Sequence, residues 1–162
     1  MLDQYQASVA VVAGGTDVVI ELNERSKTPE HVVNINKLNE LRYVKEEDGL
    51  VKIGALTTFD DLENNAYVQE KLPALWDTAV HVGSPQIRSL GTIGGNVVNA
   101  SVAGDSPTTF MTYGASVVLK SAQGERVMTI EDFNKGPGNC AIRSDELMTE
   151  VRFPALSADE AV

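Results

Sequence analysis

The sequence is poor in cysteine and in aromatic residues. Of its 162 residues one is a cysteine, Cys140, and 6% are aromatic. A single cysteine excludes a disulfide within the chain, and it cannot supply the several thiolates that an iron–sulfur cluster requires. Any electrons that this chain transfers must therefore come from another polypeptide.

Positive charge is also scarce. The chain has 13 Lys and Arg residues against 23 Asp and Glu residues, which gives a net charge of -10. Because no basic cluster interrupts this acidic background, we expect no binding of nucleic acid. The two histidines, His31 and His81, are far apart in the sequence and have no cysteine near them, so the sequence shows no zinc or copper motif.

Long apolar runs are missing as well. No stretch approaches the roughly 20 apolar residues of a membrane span, and the first residues lack the basic and apolar regions of a signal peptide. We therefore expect a cytoplasmic protein without a membrane segment. The hydrophobic share of 43% is still large enough for one packed domain, or for two small lobes that share a core.

What the sequence does contain is two pairs of adjacent glycines in apolar surroundings. The first pair belongs to Ala13-Gly14-Gly15-Thr16-Asp17, here named the first glycine loop. The second belongs to Thr92-Ile93-Gly94-Gly95-Asn96, the second glycine segment. Adjacent glycines are expected where the backbone takes a positive φ or where another group approaches it closely.

Either pair alone is more typical of a tight turn than of a binding site, because short glycine motifs are common. The first glycine loop, however, lies between the apolar runs 8–12 and 18–22, which predicts the order strand, turn, helix N-terminus. Successive N–H groups in such a turn form a concave site for an anion. Two such sites could hold a diphosphate from two sides, and we expect Gly94 and Gly95 to present their N–H groups to it.

Alternating strands and helices followed by hairpins predict an α+β fold with two lobes. Strands are predicted at 7–12, 31–35, 42–47, 50–53, 116–120, 125–130 and 147–153, the second of them parallel to the first. Helices are predicted at 18–22, 57–62, 67–71, 75–82 and from Asp105 onward. Residues 91–103 are predicted as irregular, 130–133 as a turn and 135–139 as a mobile loop. Leu75 and Trp76 are predicted to anchor the core.

The boundary between the lobes is predicted near Thr57. This gives a small N-terminal βαβ lobe with a hairpin at 1–56 and a larger lobe at 57–154. Residues 155–162 are then a tail that starts a further domain.

The order of the AGGTD loop, QIRSLGTIGGN some seventy residues later, and Asp105 before Ser106-Pro107 closely resembles a known family. This family is the FAD-binding subunit or domain of the molybdenum hydroxylases, the xanthine dehydrogenase and carbon monoxide dehydrogenase group. The resemblance extends to DELM at 145–148 and VRFP at 151–154. It implies a two-lobed FAD-binding domain of the vanillyl-alcohol-oxidase and CO dehydrogenase flavoprotein type. A Rossmann fold is not expected, since the first glycine loop lacks the GxGxxG pattern.

The resemblance also implies which residues bind FAD. Those expected at the diphosphate are Val11, Val12, Ala13, Gly14, Gly15, Thr16, Asp17, Val18, Thr92, Ile93, Gly94, Gly95 and Asn96. Asp105 is expected to bind a ribityl or ribose hydroxyl, although it is equally suited to cap the helix that it starts. Ile93 would lie against the flavin ring, or else in the core, and Met148 would lie near the cofactor. No catalytic residue and no metal ligand is expected.

As to function, the resemblance implies an FAD-dependent oxidoreductase subunit that passes electrons from iron–sulfur clusters to NAD or another acceptor. Its partners would be a molybdenum-cofactor large subunit and a small iron–sulfur subunit with two clusters. The SVAGD sequence at 101–105 is similar to nicotinate-dehydrogenase-like enzymes or to purine hydroxylases of anaerobes. Because such subunits extend beyond both ends of this sequence, we expect a truncated chain in which part of the FAD site is absent.

Two other hypotheses remain open. A stand-alone FAD-dependent oxidoreductase of the vanillyl-alcohol-oxidase type would need a histidine or cysteine that tethers the flavin, or a base near its ring. A non-enzymatic remnant, kept only for its docking surface, would fit the short length. Titration with flavin separates these hypotheses, because tight binding contradicts the remnant.

Overall fold

Three sheets organise the part of the chain that the structure describes, residues 2–5 and 8–156 of a computed structural model. The strands are β1 (Val9–Val12), β2 (His31–Asn34), β3 (Val44–Glu47), β4 (Leu50–Gly54), β5 (Ser116–Ser121), β6 (Gly124–Thr129), β7 (Asn134–Gly136), β8 (Asn139–Cys140) and β9 (Leu147–Pro154). The helices are α1 (Leu2–Tyr5), α2 (Val18–Asn23), α3 (Phe59–Glu63), α4 (Ala66–Lys71), α5 (Pro73–His81), α6 (Pro85–Arg88), α7 (Ile93–Asn99), α8 (Asp105–Thr112) and α9 (Ile130–Phe133). A 3-10 turn lies at Asn39–Leu41. None of the helices in these ranges is long and apolar enough to cross a membrane.

The first sheet consists of β1 and β2, which pair in parallel from Val9 opposite His31 to Val12 opposite Asn34. Parallel strands need a crossover connection, and here α2 provides it. The predicted order of strand, glycine loop, helix and parallel strand is thereby confirmed. Ala7, the predicted first residue of the strand, lies outside the described residues.

The second sheet has five antiparallel strands in the order β3-β4-β9-β5-β6. Both predicted hairpins are confirmed. In the first, Asp48 and Gly49 have φ values of 56° and 72°, the conformation of a two-residue turn that matches the twist of its strands. The final strand β9 lies at the centre of the sheet, between β4 and β5.

This strand order bears on the predicted lobes, which remain a prediction. The hairpin of β3 and β4 precedes Thr57 in the sequence, but β4 pairs with β9 from Leu50 opposite Pro154 to Gly54 opposite Glu150. By its pairing the hairpin therefore belongs with the later strands, and a division of the chain before β3 would follow the sheets more closely.

The main core lies between the inner face of this sheet and the helices that cover it. On the sheet side Ile53, Val117 and Val151 are fully buried, because alternate residues of a strand point to one face. On the helix side Phe59 and Phe110 are 2% and 0% exposed and belong to the same cluster.

One of the two predicted core anchors is wrong. Leu75 is fully buried, but Trp76 is 36% exposed and its indole nitrogen donates a hydrogen bond of 3.1 Å to the carbonyl of Glu63. Leu72, Leu75 and Ala79 recur at the spacing of one helix face and fill the core. Trp76 lies one position around the helix, at the edge of that face.

The prediction that residues 91–103 are irregular is also wrong. Residues 93–99 form α7, whose N-cap is Thr92 and whose last turn ends at Ala100 with a left-handed φ of 48°. Adjacent glycines disfavour a helix by intrinsic propensity. The cap and the packing of α7 against β4, described below, outweigh that preference.

Two shorter segments are also more regular than predicted. The predicted turn at 130–133 is helix α9, and Thr129 caps it by accepting a hydrogen bond from the Asp132 backbone N–H. The predicted loop at 135–139 contains parts of β7 and β8, which pair with each other. Both elements are too short to show a periodic pattern in the sequence.

Candidate functional site

A cavity of about 1120 Å³ opens where three segments of the chain meet. One wall is the first glycine loop, a second is the N-terminal half of α7, and a third is the segment 142–148 that leads into β9. Apolar side chains from elsewhere, among them Phe59, Val82 and Ile87, complete it. Two of the three walls are the segments that the glycine pairs marked in the sequence.

The first glycine loop presents unused hydrogen-bond donors to this cavity. Gly14, Gly15, Thr16 and Asp17 all lie on the wall. Among the described residues, none of their backbone N–H groups donates to a protein acceptor. Gly15 has a φ of +79°, which favours glycine there. Consecutive free N–H groups in a turn are what an anion site requires.

The charged side chains around this loop are of both signs. The Asp17 carboxylate is exposed on the wall, with no cap hydrogen bond to the helix that follows. Lys27 and Glu21 also line the cavity and form an ion pair of 2.7 Å with each other. An anion at the first glycine loop would therefore depend mainly on the backbone donors.

The second glycine segment uses its donors differently, which contradicts the expectation for Gly94 and Gly95. The Gly94 N–H donates to the Ala55 carbonyl at 2.8 Å, and the Gly95 N–H donates to the Thr92 hydroxyl at 3.1 Å. The Ile93 N–H donates to the Thr57 carbonyl at 2.9 Å. The N–H groups of Ile93 and Gly94 hold the start of α7 to the residues that follow β4, and the Gly95 N–H is used by the Thr92 cap. None of the three is available to a ligand.

The two glycines of this segment have different roles in packing. A Cβ atom on Gly94 would lie 2.7 Å from the Cβ and 2.8 Å from the carbonyl oxygen of Ala55. Gly94 thus permits the close approach of α7 to β4. Gly95 is exposed, and a Cβ atom there would meet the Thr92 hydroxyl at 2.9 Å. Both glycines line the cavity, and Gly95 is the exposed one of the two.

Asn96 follows on the same helix and carries a polar group into the wall. Its side-chain oxygen accepts a hydrogen bond of 2.5 Å from the Ser106 hydroxyl, which is fully buried. Its side-chain nitrogen donates to no other residue in the described part of the chain. Because Asn96 lines the cavity, this NH2 group is available there as a donor.

The third wall is fixed by a nearly buried ion pair. Arg126 donates to the two carboxylate oxygens of Glu146 at 2.6 and 2.8 Å, and the Arg143 N–H donates to one of them at 2.8 Å. The hydrogen bonds from Arg126 hold the pKa of the Glu146 carboxyl below its usual value, against the effect of burial. No local pattern in the sequence indicates this pair, because twenty positions separate the partners.

Most of the residues predicted to bind the cofactor do line the cavity. Those on the wall are Val11, Ala13, Gly14, Gly15, Thr16, Asp17, Val18, Thr92, Gly94, Gly95, Asn96 and Met148. Their contact with a ligand remains a prediction. Wall residues that the sequence did not single out, such as Lys27, Phe59 and Arg143, come from segments without a recognisable motif.

Three predicted residues lie off the wall. Val12 is in β1 opposite Asn34. Ile93 is fully buried in the core, so its side chain does not face the cavity. Asp105 is exposed and is the first residue of α8, whose N-cap is Gly104, so Asp105 does not cap the helix. The predicted contact of Asp105 with a sugar hydroxyl stays a prediction.

Comparison with known proteins gives a consistent result. The sequence profile of a family described as the FAD binding domain in molybdopterin dehydrogenase matches residues 1–156. The nicotinate dehydrogenase FAD-subunit of Eubacterium barkeri is 47% identical over 165 residues, which is 99% of this chain and 56% of that protein. The xanthine dehydrogenase FAD-binding subunit of Escherichia coli O157:H7 is 38% identical, over 95% of this chain and 52% of that protein.

A solved structure has the same fold. Carbon monoxide dehydrogenase from Hydrogenophaga pseudoflava, in a form that lacks the Mo-pyranopterin moiety of the molybdenum cofactor, superposes with a TM-score of 0.93 at 34% identity. The match covers 97% of this chain and 55% of that one. The chain thus spans about half the length of the relatives that it matches.

Proposed function

The chain belongs to the family of FAD-binding domains in molybdopterin dehydrogenases, and from this premise we propose that its cavity holds FAD with the diphosphate on the first glycine loop. The N–H groups of Gly14, Gly15, Thr16 and Asp17, which have no acceptor among the described residues, support this proposal most directly. A protein with a net charge of -10 repels an anion at long range. Local backbone donors are the kind of site that overcomes this repulsion.

The remaining walls are suited to the other parts of FAD. Asn96 offers an amide donor, and Gly95 leaves room beside it. Apolar side chains such as Phe59 and Met148 suit an aromatic ring and exclude water from it. When bound, FAD supplies the electron-transfer chemistry, while these residues bind it, orient it and keep it from solvent.

We further propose that the protein acts in an oxidoreductase complex. In it, electrons would pass from iron–sulfur clusters through FAD to NAD or another acceptor, and the partners would be a molybdenum-cofactor large subunit and a small iron–sulfur subunit. The relative from Hydrogenophaga pseudoflava is named a carbon monoxide dehydrogenase medium chain, which supports an assembly of several chains. A cytoplasmic location is part of the same proposal.

For the complex as a whole, we propose a nitrogen heterocycle as the substrate class, as in xanthine dehydrogenase-like enzymes. The relative with 47% identity is named as a nicotinate dehydrogenase subunit, and others are named for xanthine dehydrogenase. These names agree with the similarity of the SVAGD sequence at 101–105 to nicotinate-dehydrogenase-like enzymes or purine hydroxylases.

The positions of the histidines and the cysteine argue against a stand-alone oxidase with a tethered flavin. His31 packs against Tyr5 with ring centroids 4.0 Å apart, and His81 is exposed beside Asp77. The Cys140 thiol donates to the Val98 carbonyl at 3.4 Å. None of these three side chains is among the described residues that line the cavity.

A flavin titration of the 162-residue chain tests the proposal. The flavin-free chain is titrated with FAD and with FMN, followed by visible absorbance and by gel filtration. We expect FAD to be retained more tightly than FMN, because FMN lacks the diphosphate. Binding of neither flavin in the absorbance titration would refute the proposed FAD site.

The position of the diphosphate is tested by charge. Asp17→Asn removes a carboxylate beside the proposed diphosphate but keeps its shape and its bond to Thr16. Unit charges a few ångströms apart in water interact by about 1 kcal/mol, so we expect FAD to bind roughly five-fold more tightly at low salt. Glu24→Gln, an exposed residue just after α2, is the matched control and should leave the affinity unchanged.

A further inference from the structure

We propose that Ser106 is a positioning residue for cofactor binding, which acts by fixing the side-chain amide of Asn96. In this arrangement the Ser106 hydroxyl holds the Asn96 oxygen away from the cavity and leaves the NH2 group facing it. The inference rests on the proposed function, since it assumes that FAD occupies the cavity.

The contact between the two side chains sets the direction of the amide. The Ser106 hydroxyl donates to the Asn96 Oδ1 atom, and the two oxygens are 2.5 Å apart. The amide nitrogen is bonded to the same carbon as Oδ1, so it points away from Ser106.

The environment of each partner is consistent with this role. Ser106 is the second residue of α8 and is fully buried. Water therefore does not replace Asn96 as the hydrogen-bond partner of its hydroxyl. Asn96 lies on the cavity wall. Its NH2 group has no partner among the described residues, and it is not among the buried side-chain atoms that lack one. A donor that is open to the cavity is thus held in a single orientation.

Without the hydroxyl the amide could rotate and present its oxygen to the ligand instead. The ligand atom that the NH2 group recognises is an acceptor, an oxygen of the diphosphate or of the ribityl chain. An inverted amide would repel such an atom. Ser106 thereby determines which sign of partial charge Asn96 shows to FAD, although it does not touch the cofactor itself.

Ser106→Ala tests this role on the full 162-residue chain. We expect the dissociation constant for FAD, measured by flavin fluorescence, to rise about three- to ten-fold, the equivalent of one net hydrogen bond. Thr109→Val is the matched control. Thr109 is on the same helix and shares a 2.6 Å hydroxyl bond with Thr78, and it is not on the cavity wall. Loss of the Thr109 hydroxyl should lower the melting temperature without changing FAD affinity.

A double-mutant cycle with Asn96 separates positioning from a general structural effect. In an Asn96→Ala background, Ser106→Ala should cause no further loss of FAD affinity, because the amide it orients is gone. Asn96→Asp keeps an acceptor for Ser106 but has no donor, and it should bind FAD at least as weakly as Asn96→Ala.

The outcomes distinguish this inference from the proposed function. If the unchanged chain binds no FAD, the proposed function fails and the inference fails with it. If the unchanged chain binds FAD but Ser106→Ala binds it equally well, or loses the same factor in the Asn96→Ala background, the inference alone is overturned.

Discussion

The backbone of Gly14 lies directly against the carbonyl group of Leu90. A Cβ atom on Gly14 would be 1.9 Å from that oxygen and 2.6 Å from its carbon, so no side chain fits there. Leu90 comes just before the second glycine segment. The contact therefore joins the two glycine-containing walls of the cavity and fixes the first glycine loop relative to α7.

This contact predicts a large effect of Gly14→Ala. The extra methyl group would force the first glycine loop away from Leu90, at a cost in unfolding free energy of about 2–3 kcal/mol, the upper range for overpacking. Displacement of the loop should also move its N–H groups, so FAD affinity should fall by more than ten-fold. Urea unfolding and FAD titration measure the two effects.

Gly114→Ala is the control for that variant. Gly114 has a φ of +61°, and no atom of the described residues lies within 4 Å of an added Cβ atom. Alanine there therefore costs backbone strain of roughly 1–2 kcal/mol without a clash in that part of the chain. It should destabilise the protein but leave FAD affinity unchanged. Equal affinity losses in both variants would mean that the loop contact has no special role.

In the second glycine pair, we expect Gly94 to be needed for packing and Gly95 for binding. Gly94→Ala places a methyl group against Ala55, so we expect a loss of about 2 kcal/mol of unfolding free energy. Gly95→Ala disturbs the Thr92 cap, which is worth about 1 kcal/mol, and narrows the cavity. For the same loss of stability, Gly95→Ala should therefore weaken FAD binding more than Gly94→Ala does.

Unfolding and flavin titration of both variants, side by side, test this division. Gly104→Ala is the reference variant, because an added Cβ atom there would meet its nearest atom at 3.1 Å, farther than at Gly94 or Gly95. If Gly94→Ala proves the milder change for the fold, the close packing of α7 on β4 is not what requires glycine at that position.

Local turn chemistry explains which parts of the fold were predictable. Asp48-Gly49 specifies a tight hairpin turn through residues that tolerate positive φ, and both neighbouring strands follow from it. By contrast, α7 was missed. Its stability comes from the Thr92 cap and from packing of Gly94 against Ala55, a residue 39 positions earlier, and no local pattern reports such a contact.

The site was predictable to a similar degree. The glycine pairs located two walls of the cavity, because glycine marks close approach wherever it occurs. They did not reveal what the glycines approach. For Gly14 and Gly94 it is another part of the protein, the carbonyl groups of Leu90 and Ala55. The sequence could not distinguish contact with protein from contact with a ligand.

The ion pair of the third wall predicts that the stability of the protein depends on pH. The pKa of Glu146 is lowered in the folded protein, chiefly by the hydrogen bonds from Arg126, relative to an unfolded value of about 4.3. The contribution of this pair to stability is therefore complete above that unfolded pKa, and it is lost as the pH falls through the folded pKa. Glu146→Gln removes the titrating group.

At pH 7 we expect Glu146→Gln to lower the unfolding free energy by about 3 kcal/mol, the low end for a buried pair, because the Arg126 side chain is 30% exposed. The difference from the unchanged protein should begin to shrink as the pH falls below the unfolded pKa of about 4.3, and it should shrink further as the pH falls through the lowered folded pKa of Glu146. Glu125→Gln breaks the exposed pair with Lys120 on the same hairpin and should cost less than about 1 kcal/mol. Urea unfolding at pH 7 and pH 3.5 measures all three proteins, and a Glu146→Gln deficit that stays constant between the two pH values would show that the charge of Glu146 does not stabilise this wall.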